Sequence, residues 1–136
     1  MLDVTEAIEN RRSIRQYTDA PISQDTMDRL ISLAVKAPTG SGMEPWGFVI
    51  LRDRAEIDAL SDRAKKEILD HMADYPQFTQ YETWLKNPKY NIFNHAGTVL
   101  VIYGDTRSHW HVYDCSLVAG NIMLLAESEG IGCCWI

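Results

Sequence analysis

Cysteine is scarce in this sequence, and the three cysteines present indicate neither a disulfide framework nor a zinc site. Cys115, Cys133 and Cys134 are odd in number and lack the paired spacing of metal ligands. The adjacent Cys133 and Cys134 could form a redox pair, but alternate side chains of a strand point to opposite faces, which favours two small buried residues. His109 and His111 could bind a metal from one strand face, but no third ligand lies near them in the sequence.

Positive charge and long apolar runs are also limited. The chain has 13 Lys and Arg against 19 Asp and Glu, which gives a formal net charge of -6 at pH 7. Nucleic-acid binding needs a broad basic face, and an acidic surface repels anionic membranes, so neither partner is expected. The apolar stretch 117–126 is too short to span a bilayer, and residues 1–10 lack the pattern of a signal peptide. These absences predict a cytoplasmic protein.

Apolar residues are numerous enough for one domain with a core, since 46% of the 136 residues are hydrophobic. Four stretches have the periodicity and caps of helices: one capped by Asp3 that closes at a group of arginines, one capped by Ser23 that stops before Pro38, 54–73 and 112–129. Strands are predicted at 48–51, at 98–103 and from Cys133 onward. The second of these strands is expected to be central in the sheet and buried on both faces.

The composition of two predicted helices and one predicted loop indicates which of their surfaces face solvent and which are covered. Residues 62–66 form a charged run that we interpret as the solvated face of the helix 54–73. The helix 112–129 is apolar almost all the way round, which one small domain cannot cover, so we expect it in a homodimer interface. The aromatic and proline-rich stretch 75–93 predicts a satellite core under a long loop, with a substrate lid as the alternative.

Three arginines and a serine cluster in residues 11–15, which we call the arginine segment: Arg11, Arg12, Ser13 and Arg15. Arginine offers forked donors that stay charged at any working pH, and serine adds a short neutral donor, so this spacing suits a phosphate group. The alternative is that the arginines only complement the dipole at the end of the preceding helix, which contributes about 0.3–1 kcal/mol each. Residue types alone leave both interpretations open.

Small residues fill the loop between the second helix and the first strand, which we call the glycine loop: Pro38, Thr39, Gly40, Ser41 and Gly42. A backbone with so few side chains allows a ligand ring or another backbone to approach closely. The alternative is an ordinary connection between a helix and a strand.

Three separated segments together resemble the FMN-dependent nitroreductase family: 6–17 (EAIENRRSIRQY), 37–49 (APTGSGMEPWGFV) and 120–136 (GNIMLLAESEGIGCCWI). The order and spacing of the segments match the family from end to end. The resemblance implies an α+β fold with a central mixed β-sheet flanked by helices, assembled as an intertwined homodimer that binds FMN at the subunit interface.

The resemblance also implies a role for each part of the site. Arg11 and Ser13 would hold the FMN phosphate, Arg12 would line the same side, and Arg15 would face the pyrimidine edge of the flavin. The glycine loop of the other subunit would lie along the ring, through Pro38, Thr39, Gly40 and Gly42. No side-chain acid, base or nucleophile is needed, so we name no catalytic residue.

The function implied is an NAD(P)H-driven two-electron reduction of a nitroaromatic, a quinone or a similar acceptor. Dehalogenation and flavin cleavage are further chemistries within the same resemblance. A non-catalytic flavin-binding or sensing protein, and a dimerisation module without flavin, are the alternatives from other classes. Two departures matter: many members carry Asn where this chain has Gly42, and members continue past the strand that begins at Cys133. We therefore expect residues 1–136 to form one nitroreductase-like domain that is incomplete at its C-terminus.

Overall fold

The computed structural model describes every residue from Met1 to Ile136. Helices predominate: α1 (Val4–Asn10), α2 (Gln24–Ala34), α3 (Arg54–Asp70), α4 (Glu82–Leu85) and α5 (His111–Ser128). Two strands, β1 (Trp46–Leu51) and β2 (Val99–Gly104), form a small sheet, and short 3-10 turns lie at Gly40–Gly42, Met72–Asp74 and Pro76–Tyr81. The architecture is therefore of the predicted α+β class. None of the helices combines the length and the apolar character needed to cross a membrane.

The helix starts follow from local capping, as the sequence predicts. Asp3 and Glu6 form a reciprocal capping box, in which the Glu6 amide donates to Asp3 Oδ1 at 2.9 Å and the Asp3 amide donates to Glu6 Oε2 at 3.0 Å. Ser23 caps α2 by accepting from the Thr26 amide at 3.1 Å. Helix α3 ends at Asp70 rather than at residue 73, because the chain turns at His71 into a 3-10 turn.

The sheet consists of β1 and β2 in antiparallel register, with Trp46 opposite Gly104 and Leu51 opposite Val99. The expectation that β2 is a central strand buried on both faces is wrong within this chain. β2 pairs only with β1, so its other edge is unpaired, and Tyr103 is 58% exposed. The strand expected from Cys133 is a single parallel bridge to Ser13.

The core lies where α2 and α5 pack against each other and against the sheet. Ala34, Ala37 and Val118 are buried at its centre, and four half-buried apolar residues pack around them: Trp46, Phe48, Ile122 and Leu125. Helix α1 contributes Ala7, whereas Val4 and Ile8, whose spacing puts them on the same side of the helix, are exposed. The small residues at the centre allow α2 and α5 to approach closely.

Helix α3 holds the stretch 75–93, which corrects the interpretation of residues 62–66 as a purely solvated face. Lys65 is only 7% exposed, and its Nζ donates to the carbonyl oxygens of Tyr90 at 2.7 Å and Asn87 at 3.1 Å. Ser61, also buried, accepts from the Ile92 amide at 2.9 Å. These bonds join the stretch to α3, as expected of a satellite packed against the domain.

Candidate functional site

The arginine segment is held between the end of α1 and the end of the chain. The Arg11 amide closes α1 by donating to the Ala7 carbonyl oxygen at 3.0 Å. The Ile14 amide then donates to the Cys133 carbonyl oxygen at 2.9 Å, and the Tyr17 hydroxyl donates to the Ile14 carbonyl oxygen at 2.5 Å. The backbone of the segment is thus fixed on both sides of Ser13.

The three arginines of this segment differ in their available donors. Arg12 directs Nη1 to the carbonyl oxygens of Glu9 and Arg11, each at 2.8 Å, so it satisfies the end of α1 as the helix-terminus interpretation describes. Arg15 makes one long bond of 3.4 Å to the Ser13 carbonyl oxygen. The Arg11 guanidinium and the Ser13 hydroxyl have no hydrogen-bond partner in the chain. Arg11 and Ser13 are therefore the donors most available to a ligand.

The charge of Arg11 is not neutralised by its sulfur neighbour. Burial raises the pKa of the Cys133 thiol, and this outweighs the Arg11 guanidinium, which acts to lower it. Burial likewise raises the pKa of Tyr17, with smaller contributions from Cys134 and Cys133. Both groups stay protonated at neutral pH, so neither supplies an anion that would compete with a ligand for Arg11.

The glycine loop has a backbone that ordinary residues rarely adopt. Ser41, Gly42 and Glu44 have φ angles of 55°, 64° and 44°, all in the left-handed region. At Gly42 an added Cβ would meet nothing within 4 Å, so only the backbone conformation calls for glycine. The open space beside Gly42 is consistent with a surface that a flat ligand could approach.

At Gly40 a neighbouring side chain, and not the backbone conformation, calls for glycine. Two residues of the α5 region contact this position, Trp110 and Asp114. An added Cβ would lie 2.2 Å from Trp110 Cδ1, so the indole ring occupies the place of a side chain. The Gly40 amide donates to both carboxylate oxygens of Asp114, at 3.2 and 3.1 Å, and Asp114 is only 4% exposed. Sequence reasoning missed this pair, although Asp114 is the only charged residue of α5 before Glu127.

The two predicted parts of the site are not linked within the chain. No hydrogen bond or ion pair joins the arginine segment to the glycine loop. A cleft of about 1260 Å³ is lined instead by β2, by apolar residues of α5 and by the C-terminal residues. It contains none of the predicted cofactor-binding residues. The cleft follows the free edge of the two-stranded sheet, whereas the donors suited to a phosphate lie in the arginine segment.

Comparison with known proteins decides the family. A profile described as "Nitroreductase family" matches residues 8–136. The chain belongs to the nitroreductase family. This nitroreductase domain is 26% identical to a nitroreductase with bound FMN from Bacteroides fragilis, with a TM-score of 0.87 over 100% of this chain and 70% of that one. An FMN-dependent nitroreductase from Clostridium difficile R20291 is 29% identical, with a TM-score of 0.79 over 93% of this chain and 56% of that one.

The curated relatives of this nitroreductase domain are longer than it is. A protein of Methanothermobacter thermautotrophicus named "Putative NADH dehydrogenase/NAD(P)H nitroreductase" is 27% identical over 139 residues, covering 98% of this chain and 60% of the relative. A protein of the same name from Archaeoglobus fulgidus is 28% identical over 141 residues, covering 100% and 68% respectively. The chain thus spans about three fifths to two thirds of the length of these relatives. The family resemblance and the fold class inferred from the sequence are confirmed.

Proposed function

We propose that this chain carries the flavin site of an FMN-dependent oxidoreductase, in which NAD(P)H drives the two-electron reduction of a nitroaromatic, a quinone or a similar acceptor. The observation that carries the proposal is the arginine segment. Arg11 and Ser13 keep their side-chain donors unpaired, in a chain whose fold matches that of a nitroreductase with bound FMN. A charged fork beside a neutral hydroxyl fits a phosphate monoester.

The residues present fit FMN at each of its chemical parts. Arg11 and Ser13 supply donors for the phosphate, and Arg15, exposed and weakly bonded, supplies a cation for the pyrimidine edge. The glycine loop supplies bare backbone for a flat ring, with open space at Gly42. Arg12 commits its Nη1 to the end of α1 and keeps only Nε and Nη2 for a ligand, so it adds positive charge to the phosphate side and offers fewer donors than Arg11.

FMN, when bound, supplies the redox chemistry, and the chain supplies binding, orientation and electrostatics. Arg11 and Ser13 fix the phosphate and so set the position of the ring. Arg15 favours the negative charge that accumulates at the pyrimidine edge on reduction, since a preorganised cation near developing charge costs little reorganisation. No acid, base or nucleophile of the chain is assigned a step.

We also propose a homodimer in which each site combines the arginine segment of one subunit with the glycine loop of the other. The absence of bonds between these two parts within the chain supports this arrangement. So does the surface of α5, where Val112, Tyr113 and Leu117 are 60%, 65% and 47% exposed. Three exposed large apolar residues within two turns of one helix form a surface suited to a subunit interface.

The decisive experiment is reconstitution of the purified chain with FMN, followed by removal of free ligand. Retained absorbance at about 370 and 450 nm, with NADH or NADPH oxidation that depends on a nitroaromatic or a quinone, supports the proposal. The Arg11→Ala variant should retain less FMN than the wild type after the same treatment. Arg63→Ala is its matched control, because Arg63 is exposed on α3 outside the site. A yellow protein without NAD(P)H oxidation would indicate a flavin-binding protein, and a colourless one would refute the proposal.

A further inference from the structure

A buried carboxylate lies beneath the glycine loop. Asp114 is 4% exposed, and its two oxygens accept only the Gly40 amide, at 3.1 and 3.2 Å. It occupies the first turn of α5, where the helix dipole favours a negative charge. A charged acceptor gives a stronger hydrogen bond than a neutral one, so the Gly40 amide is held firmly and is unavailable to any other acceptor.

Trp110 fixes the same glycine from another side. The indole ring fills the space of a Gly40 side chain, with Cδ1, Cγ and Cβ at 2.2, 2.4 and 2.9 Å from the position of an added Cβ. His109 lies edge-to-face with the indole at a centroid distance of 4.6 Å, and Tyr113 lies tilted against it at 6.3 Å. The overlapping atoms include Cβ and Cγ at the base of the Trp110 side chain, so an added Cβ would force the whole indole to move. Gly40 is held by one hydrogen-bond acceptor and one aromatic face.

We propose that Asp114 is a positioning residue for the flavin ring, acting through Gly40. The inference rests on the proposed function, in which the glycine loop lies along the ring. The Gly40 amide is bonded to Asp114, and the next two residues, Ser41 and Gly42, have left-handed backbone conformations. Asp114 touches neither the ring nor the phosphate in this arrangement. Its effect is to preorganise the backbone that the ring meets.

Asp114→Asn and Asp114→Ala test the proposal. Asparagine keeps one oxygen acceptor for the Gly40 amide and loses the charge, whereas alanine keeps no acceptor. In the apo protein we expect hydrogen exchange at the Gly40 amide to speed up in the order wild type, Asn, Ala. With flavin we expect the Ala variant to bind FMN and riboflavin about 10- to 100-fold more weakly, and by the same factor, because the loop meets the ring and not the phosphate. Asn should restore most of the affinity.

Two controls separate positioning from general stability. Ile57→Ala removes buried apolar volume from α3, which carries neither the glycine loop nor Asp114, and lowers the melting temperature. Asp105→Asn removes the charge of a half-buried carboxylate that precedes α5 and accepts from Arg107. Both should leave the Gly40 exchange rate and the visible circular dichroism of the bound flavin unchanged, whereas Asp114→Ala should alter both.

The outcomes are distinguishable. Wild-type protein that binds no FMN defeats the proposed function. Hydrogen exchange in the apo protein would then test only whether Asp114 holds the Gly40 amide. Wild-type protein that binds FMN, with an Asp114→Ala variant that keeps full affinity for both flavins, overturns the positioning role. An Asn variant as impaired as Ala would also overturn it, because the charge and not the hydrogen bond would then be responsible. Loss of FMN affinity without loss of riboflavin affinity would place the effect at the phosphate instead.

Discussion

The Ile14 amide donates a 2.9 Å hydrogen bond to the Cys133 carbonyl oxygen, and this bond joins the arginine segment to the far end of the chain. Next to this hydrogen bond, Gly132 and Ile14 lie close together. An added Cβ at Gly132 would lie 3.0 Å from Ile14 Cγ2, so a glycine permits the two backbones to pair. Residues separated by more than a hundred positions thus fix the backbone beside Ser13.

Arg11→Ala is expected to weaken FMN binding with little effect on the reduction potential of the FMN that remains bound. The loss of one charged hydrogen bond to phosphate costs roughly 1.5–3 kcal/mol, or about 10- to 150-fold in affinity. Riboflavin, which lacks the phosphate, should bind the variant and the wild type alike. Fluorescence titration with both flavins measures the difference, with Arg63→Ala as control. Equal losses for the two flavins would contradict the phosphate assignment.

Arg15→Ala is expected to change the reduction potential of bound FMN more than it changes the affinity for FMN. A cation beside the pyrimidine edge favours the reduced flavin, which gains negative charge, over the neutral oxidised form. Its removal should lower the two-electron potential by about 30 mV or more, which corresponds to about 1.4 kcal/mol. Spectroelectrochemical titration gives the potential, and stopped-flow mixing with NAD(P)H gives the rate of reduction, which should fall. An unchanged potential together with an unchanged rate removes Arg15 from this role.

Lys65→Met is expected to loosen the stretch 75–93. The Lys65 ammonium group is the donor for the Tyr90 and Asn87 carbonyl oxygens, and methionine keeps the length of the side chain without a donor. Losing charge-assisted hydrogen bonds costs about 1–3 kcal/mol, so the melting temperature should fall and hydrogen exchange in this stretch should accelerate. Lys66→Met is the matched control, because Lys66 is 75% exposed and pairs only with Asp70. Equal effects of the two substitutions would show that the Lys65 bonds contribute nothing.

The features predicted from the sequence are those that neighbouring residues determine. Asp3 and Ser23 cap their helices within three residues, and α5 is recognisable because its apolar residues are contiguous. Lys65 and Asp114 were not predicted as buried, because their partners lie 22 or more residues away, and only the folded chain brings them together. The charged run around Lys65 has the composition of a solvated face, and nothing local distinguishes the one residue that turns inward.

The candidate site likewise has some features that neighbouring residues determine and others that depend on the folded chain. The residue types of the arginine segment predict anion binding. Which arginine keeps its donors free depends on the geometry at the end of α1, where Arg12 donates to the Glu9 carbonyl oxygen. β2 has the sequence of a doubly buried strand, yet it has only one neighbour here, because pairing partners are a property of the whole sheet. Sequence therefore predicts the donors and the fold class better than it predicts what each donor contacts.

Leu117→Asp is expected to weaken self-association while leaving the domain folded. Leu117 is 47% exposed on α5, so the chain itself does not bury it, and a charge there would be unpaired in a subunit interface. Ile122, by contrast, packs against the core, and a charge at that position would unfold the domain instead. Light scattering over a dilution series measures association, and circular dichroism checks the fold. Ala59→Asp on α3 is the control, and a wild type that is a folded monomer at micromolar concentration contradicts the dimer.

Mixing two defective chains tests whether each flavin site is shared between subunits. Arg11→Ala impairs the arginine segment, and Gly40→Ala impairs the glycine loop, because its Cβ would overlap Trp110 at 2.2 Å. In a symmetric dimer with shared sites, a mixed pair contains one site built from the intact loop of the first chain and the intact arginine segment of the second. After subunit exchange between equal amounts of the two variants, half of the dimers are mixed. Each mixed dimer has one intact flavin site and one doubly defective site. Tight FMN binding should therefore return to about a quarter of the wild-type capacity. If the arginine segment and the loop of the same chain form the site, every site keeps a defect, and no tight binding returns at any mixing ratio.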